Sequence, residues 1–227
     1  MTAPYYSDDY VTLYHGDCLE LADVWAGADV LVTDPPYGRA WRQGNLKLSG
    51  SDAHEGIAND DTTTIRDRAL GVWGARPAIA FGDLMLAPPL GTKLVAVYWK
   101  NDLMSGTRGA IAGVRRDAEA IYFLNSWPTG LGGESSVFET RTMLSSANGI
   151  AKKFGHPHAK PGDILQRLIT KCPPGTIADP FAGSGSTGVA AKALGRRAIL
   201  VELEERYCEI AARRLSQDVL DFDGGAA

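Results

Sequence analysis

The 227-residue chain is 44% hydrophobic and 22% charged, a composition that excludes a disordered chain and supplies one to two domains' worth of core. Its longest nearly uncharged stretch, Ala78 to Thr92, is broken by Gly82, Asp83, Pro88 and Pro89, so nothing approaches the ~20 apolar residues of a membrane span. The net charge of −4, taken as a bulk value, argues against a polyanionic partner.

Met1 to Tyr10 carries Asp8 and Asp9 and no Lys or Arg, and reads as neither a signal nor a transit peptide. Val11 to Tyr14 is a short β-rich run, and Cys18 to Trp25 reads as one or two helical turns. Asp29 to Thr33 is a nearly continuous apolar strand, as expected where both faces of a sheet are covered. From Gly38 to about Asp61 the chain is polar and rich in Gly, Ser, Asn and Asp. Such a long loop inside a compact domain is usually functional. Asp61 is placed to cap a helix running to about Trp73. Pro77 to Phe81, Leu94 to Trp99 and Ala120 to Leu124 read as strands. Residues 125–155 hold Pro128, Gly130, Gly132, Gly133 and Gly149 with weak periodicity, and read as an irregular insertion. Pro161 opens a helix to about Lys171, with Asp163 near its positive end. A strand over Thr176 to Ala178 leads through a glycine-rich turn into a helix closed by Gly195. Arg197 to Glu202 is the next strand and Glu204 to Leu215 the next helix; the acidic tail from Gln217 is expected to fray. Strands alternating with helices predict an α/β fold, doubly wound around a mostly parallel sheet.

The charge is unevenly distributed. Residues 1–38 hold seven acids and no Lys or Arg, whereas residues 93–160 hold nine bases against five acids. An acidic molecule built this way can still present a basic face to phosphates, the alternative being a solvated mixed surface. Cys18, Cys172 and Cys208 are few, odd in number and far apart, which suits a reducing compartment and three buried thiols rather than a disulfide framework. His156 and His158 have no Cys or carboxylate at ligand spacing, so no metal site is expected. Arg39, Trp41, Arg42 and Lys47 form an aromatic-basic cluster that either clamps a nucleic acid or solvates the loop.

Two motifs carry chemistry, each directly after a strand. Gly183-Ser-Gly-Ser-Thr-Gly188 matches G-x-G-x-x-G, and Glu202 follows at the end of the next strand, where an acid can hold two ribose hydroxyls. No Lys follows the last glycine, which excludes an ATPase P-loop. The pattern alone fits NAD, FAD or S-adenosylmethionine, or a ligand-free turn. Asp179-Pro180-Phe181 adds a carboxylate at the strand tip that can grip the ammonium of an amino-acid moiety, a group nicotinamide cofactors lack. The second motif is Asp34-Pro35-Pro36-Tyr37. Two prolines hold it extended, so it can present the Asp34 carboxylate, the Pro35 carbonyl and the Tyr37 ring to one small region. Two acceptors and an aromatic plane suit a planar base with an exocyclic amino group; the alternative is a proline-stiffened surface turn.

Together, Asp34-Pro-Pro-Tyr37 and Asp179-Pro-Phe-Ala-Gly-Ser-Gly185 resemble the S-adenosylmethionine-dependent amino-methyltransferases of DNA, which methylate adenine N6 or cytosine N4. The catalytic motif precedes the cofactor motif, as in the permuted (β) group of that family. His15-Gly-Asp17-Cys18 resembles the family's Gly-Asp-Cys segment. Tyr98-Trp99-Lys100 and Glu119 resemble its middle strands, His156 to Pro161 its His-x-x-x-Lys-Pro segment, and Glu202 with Tyr207 and Ala211-Ala212 its acid and following helix. The resemblance spans nearly the whole chain and is weakest over 39–75 and 101–155.

The resemblance implies a Rossmann-like, circularly permuted methyltransferase fold in one domain over 1–227. Residues 39–60 would be a mobile active-site loop and 125–155 a small target-recognition insertion. The insertion is short for reading a sequence, so specificity is loose, shared with the 39–60 loop, or supplied by a partner. Asp34, Pro35, Pro36 and Tyr37 would be catalytic. Asp17, Cys18, Lys160, Asp179, Phe181, Gly183, Gly185 and Glu202 would bind S-adenosylmethionine. The implied substrate is double-stranded DNA with its target base flipped out, in the cytoplasm of a bacterial or phage-infected cell. A homodimer and a restriction or replication partner are left open. Asp at position 34 leans towards adenine, since cytosine-N4 enzymes more often carry Ser there. The rivals are cytosine N4 in DNA, adenine in RNA, a nicotinamide-dependent oxidoreductase, and a catalytically silent nucleic-acid-binding module.

Overall fold

The computed structural model describes residues 2–39, 58, 60–101, 110–130, 132–140 and 159–217. Within them the strands are β1 (Tyr6–Ser7), β2 (Val11–His15), β3 (Val30–Thr33), β4 (Ala78–Gly82), β5 (Thr92–Trp99), β6 (Ala118–Leu124), β7 (Val137–Glu139), β8 (Ile177–Asp179) and β9 (Ala198–Glu202). The helices are α1 (Ala22–Trp25), α2 (Thr64–Trp73), α3 (Gly162–Lys171), α4 (Ser186–Ala193) and α5 (Glu205–Leu215).

All the strands described join one sheet in the order β1-β2-β9-β8-β3-β4-β6-β5-β7. The run β2-β9-β8-β3-β4 is parallel throughout, while β6 pairs antiparallel with both β4 and β5. Every residue of β3, β4 and β8 is buried, which is why these strands read as continuous apolar runs instead of alternating ones. One face is covered by α3, α4 and α5 through Ile164, Leu168, Ala190, Ala211 and Leu215. The other is covered by α1 and α2, where Trp25 and Trp73 stack at 6.2 Å between ring centroids. The sheet is therefore doubly wound.

Two helix ends differ in how well the sequence anticipates them. Helix α4 closes with Gly195 at φ 64°, its N–H on Lys192 O at 3.0 Å and that of Arg196 on Ala191 O at 2.9 Å. This is a Schellman cap, as the glycine suggests. Helix α2 instead starts three residues past Asp61, and its N-cap Thr63 makes no side-chain cap bond. Strands β1 and β7 are not expected from the sequence. The second lies inside the stretch that reads as irregular and pairs parallel with β5, Val97 opposite Val137. The three cysteines are free and buried. No described helix is long and apolar enough to cross a membrane. Trp41, Arg42 and Lys47, most of the 39–60 loop, residues 141–155 of the expected insertion, and His156 and His158 lie outside the described residues.

Candidate active site

The parallel strands β3, β8 and β9 end side by side, so the segments after them meet although they are far apart in the chain. A cavity of about 260 Å3 opens beyond these ends. It is lined by Asp17, Cys18, Asp34, Pro35, Pro36, Tyr37, Lys160, Asp179, Phe181, Gly183 and Glu202. Of the twelve residues assigned catalytic or cofactor roles from sequence, Gly185 alone is not in the lining. It is the left-handed N-cap of α4 at φ 77°, and a Cβ there would come within 2.9 Å of Ala211 Cβ. Its place is the close approach of α4 to α5, behind the cavity wall.

At one end of the cavity, Glu202 tethers the glycine-rich turn. Its Oε2 accepts from Gly183 N at 2.7 Å and its Oε1 from Glu204 N at 2.8 Å. Asp179, at the tip of β8, accepts from Thr33 Oγ1 at 2.6 Å and from Phe181 N at 3.1 Å. The Thr33 bond crosses from β3 to β8, so it locks the two motif-bearing turns together. Asp17 turns the chain after β2 by accepting from Leu19 N at 2.7 Å, and the Cys18 carbonyl accepts from Trp25 Nε1 at 2.7 Å. Burial raises the Asp179 carboxyl to about 6 against its bonds from Thr187 and Thr33. Burial likewise raises Glu202 to about 7, against the two backbone N–H groups and with Glu204 and Asp179 adding repulsion.

The other end holds a buried cluster of charges around Asp34. Lys160 Nζ donates to Asp34 Oδ2 at 2.6 Å and lies 3.3 Å from Glu119 Oε2. The Tyr37 hydroxyl lies 2.8 Å from Asp34 Oδ1 and 3.1 Å from Glu119 Oε2, and its single proton serves both acceptors. Lys100 pairs with Glu119 Oε1. Burial raises Asp34 above the usual carboxylate range, with Lys160 opposing and Glu119 reinforcing the shift. Glu119 goes the other way: burial pushes it up, but Lys160 and Lys100 together pull it well below the usual range. The Tyr37 phenol is pushed far up by burial beside two carboxylates, and stays protonated.

Lys160, read with the cofactor group, thus has its ammonium on Asp34. Glu119 and Lys100, noticed only as resemblances in the middle strands, complete this cluster. Three further contacts carry no sequence signal. Gly38 N donates to Asp60 Oδ1 at 2.8 Å, fixing the chain just after Tyr37. Arg39 pairs with the buried Asp83. Arg214 of α5 donates to Ser184 O at 2.6 Å and Ser184 Oγ at 2.8 Å, bracing the glycine-rich turn from behind. Among the described residues no group of His, Cys, Asp and Glu is arranged to hold a metal ion.

Comparison with known proteins places these features in company. A family model described as DNA methylase, of N6/N4 type, matches residues 92–213. YubD of Escherichia coli (strain K12) is 46% identical over 235 residues, covering 93% of each chain. The type II methyltransferase M.ScaI of Streptomyces caespitosus is 27% identical over 263 residues, covering 95% of this chain and 84% of that one. Among solved structures, the complex of M1.HpyAVI with SAM superimposes with a TM-score of 0.62 at 20% identity, covering 91% of this chain and 100% of that one.

Proposed function

We propose, on the premise that the chain belongs to the N6/N4 DNA methylase family, that it transfers a methyl group from S-adenosylmethionine to adenine N6 in DNA. Membership makes it an S-adenosylmethionine-dependent methyltransferase acting on a base amino group of DNA. The choice of adenine and the residue roles below are our reading. The choice of adenine rests on Asp at position 34, and one observation carries the residue roles: the Thr33–Asp179 bond joins the Asp34 turn to the glycine-rich turn along a single cavity.

The residues present fit the cofactor. Asp179 is a buried carboxylate at the strand tip, suited to an ammonium, and Glu202 and Asp17 offer acceptors for hydroxyl and amino groups. Phe181 and Leu203 supply apolar wall. When bound, S-adenosylmethionine supplies a methyl group activated on a sulfonium.

The chain's own residues then do the rest by placement. An exocyclic amino nitrogen is a poor nucleophile because its lone pair is delocalised into the ring. Accepting its two hydrogens on Asp34 and the Pro35 carbonyl favours the pyramidal, more nucleophilic form. Pro35 and Pro36 hold that pair of acceptors in a fixed turn, and the Tyr37 ring offers a stacking surface. Alignment of nitrogen, methyl and sulfur supplies most of the acceleration. Flipping the base costs a few kcal/mol, which stacking partly offsets.

The test is to incubate the protein with methyl-labelled S-adenosylmethionine and, in separate reactions, DNA or RNA, then digest to nucleosides. Label in N6-methyl-2′-deoxyadenosine is expected. Label in N4-methyl-2′-deoxycytidine moves the target to cytosine, and label in RNA alone changes the substrate. No transfer to any nucleic acid refutes the reading.

A further inference from the structure

Methylation of an amino group releases a proton, and the chain must have somewhere to put it. As the nitrogen takes the methyl and the carbon–sulfur bond breaks, the sulfonium becomes a neutral thioether and the nitrogen becomes a cation bearing one proton too many. The nearest acceptor in the proposed site is the Asp34 carboxylate. Its difficulty is Lys160, whose ammonium sits 2.6 Å from Oδ2. A carboxylate with a buried lysine to itself is a weak base, held ionised by an undiluted opposite charge.

Glu119 changes that. Lys160, with its side chain only 8% exposed, faces Glu119 Oε2 at 3.3 Å as well as Asp34, and Tyr37 divides its one proton between the same two carboxylates. Glu119 also holds Lys100, so it has two cations where Asp34 has a share of one. Asp179 adds a further negative charge on the far side of Thr33. Asp34 is therefore the under-compensated carboxylate of the pair. Among the described residues these are the charged groups around the pair, from β6, β8, the end of β5, the turn before α3 and the Asp34 loop itself.

We propose that Glu119 and Lys160 are positioning residues that set the basicity of Asp34, so that Asp34 takes the proton released by the methylated amino group and returns it to water. Lys160 fixes the carboxylate through Oδ2, and Glu119 draws off enough of the lysine's charge to leave Asp34 able to accept. Neither residue need touch the base. This inference rests on the methyltransferase reading of the same site. The opposed directions of Asp34 and Glu119 agree with it, for environments that push two titratable groups apart assign them different tasks.

The experiment is a carboxyl-carbon NMR titration of Asp34, its signal assigned by its disappearance in Asp34→Asn, in wild type, Glu119→Gln and Lys160→Met. With Glu119→Gln, Lys160 belongs to Asp34 alone, and the Asp34 midpoint should fall by about one pH unit. With Lys160→Met it should rise. The acid limb of the kcat–pH profile should move in the same two directions, with the affinity for S-adenosylmethionine unchanged in Glu119→Gln. Opposite shifts are what a merely structural role would not produce. An unmoved midpoint in Glu119→Gln, or one moving upward, overturns the proposal. If Lys160→Met does not fold, the direction in Glu119→Gln decides by itself. The titration needs no turnover, so failure of this coupling is seen separately from failure of wild type to methylate DNA.

Discussion

Cofactor affinity should fall steeply as the pH drops from 8 to 6. Glu202 sits at about 7 and Asp179 at about 6, both raised first of all by burial. Each would hold the cofactor in its ionised form, Glu202 through ribose hydroxyls and Asp179 through the ammonium. At pH 8 nearly all molecules have both groups ionised. At pH 6 about nine-tenths of Glu202 and half of Asp179 carry a proton that must leave before binding. The product of the two is a loss of roughly twentyfold in affinity, or about 1.8 kcal/mol. Because the folded-state values lie above the ordinary carboxylate range, the loss sits between pH 8 and 6 and not near pH 4. Isothermal titration with S-adenosylmethionine across this range reads the affinity. Repeating it at pH 6 in buffers of different ionisation enthalpy should count about 1.4 protons released per site. Glu202→Gln should flatten most of the dependence while weakening binding at pH 8. A flat profile with no buffer-dependent heat would show that these two carboxylates do not face the cofactor.

Asp34→Ala should lower methyl transfer by about a hundredfold or more while leaving the cofactor isotherm unchanged, since Asp34 is assigned to the amino group; a retained rate removes that assignment. Gly188→Ala puts a methyl within 2.6 Å of Leu200 Cδ1 and 3.2 Å of Val11 Cγ1, and overpacking there should lower the melting temperature by roughly 2–10 °C in calorimetry. An unchanged melting temperature would mean that α4 moves aside freely. If the basic window around β6 meets DNA, neutralising Arg115 and Arg116 should reduce the salt slope of DNA affinity by about one for each phosphate left without its arginine. An unchanged slope places the DNA elsewhere.

The sheet's central strands are legible because burial on both faces leaves a mark in the sequence: Val30 to Thr33 has no polar alternation to confuse with a surface strand. The glycine-rich turn and Gly195 are legible because left-handed backbone demands glycine. Strand β7 is not, since three residues flanked by Gly and Ser carry too little pattern, and its pairing with β5 is a tertiary event. The partners of Asp34 are only half legible. Lys100, Glu119 and Lys160 come from three separate elements, and no spacing rule links Tyr37 to a carboxylate 82 positions away. Proximity to Pro161 puts Lys160 just ahead of the helix before the cofactor strand, but the length of its side chain carries the ammonium across to Asp34.

The strand order has a consequence for how the molecule comes into being. Among the described residues, strands β1 and β2 pair only with each other and with β9, and β9 reaches the remainder of the sheet only through β8. During synthesis β1 and β2 leave the ribosome before β8 and β9 and must therefore wait for them. Until β8 has emerged, β3 has one bare edge, and Asp34 has no Asp179 turn beside it. Such non-local pairing makes for slow folding, with apolar edges exposed in the meantime. A ribosome-bound or truncated chain lacking β8 and β9 cannot hold the two halves of the cavity together, and so no active fragment forms before those strands are made.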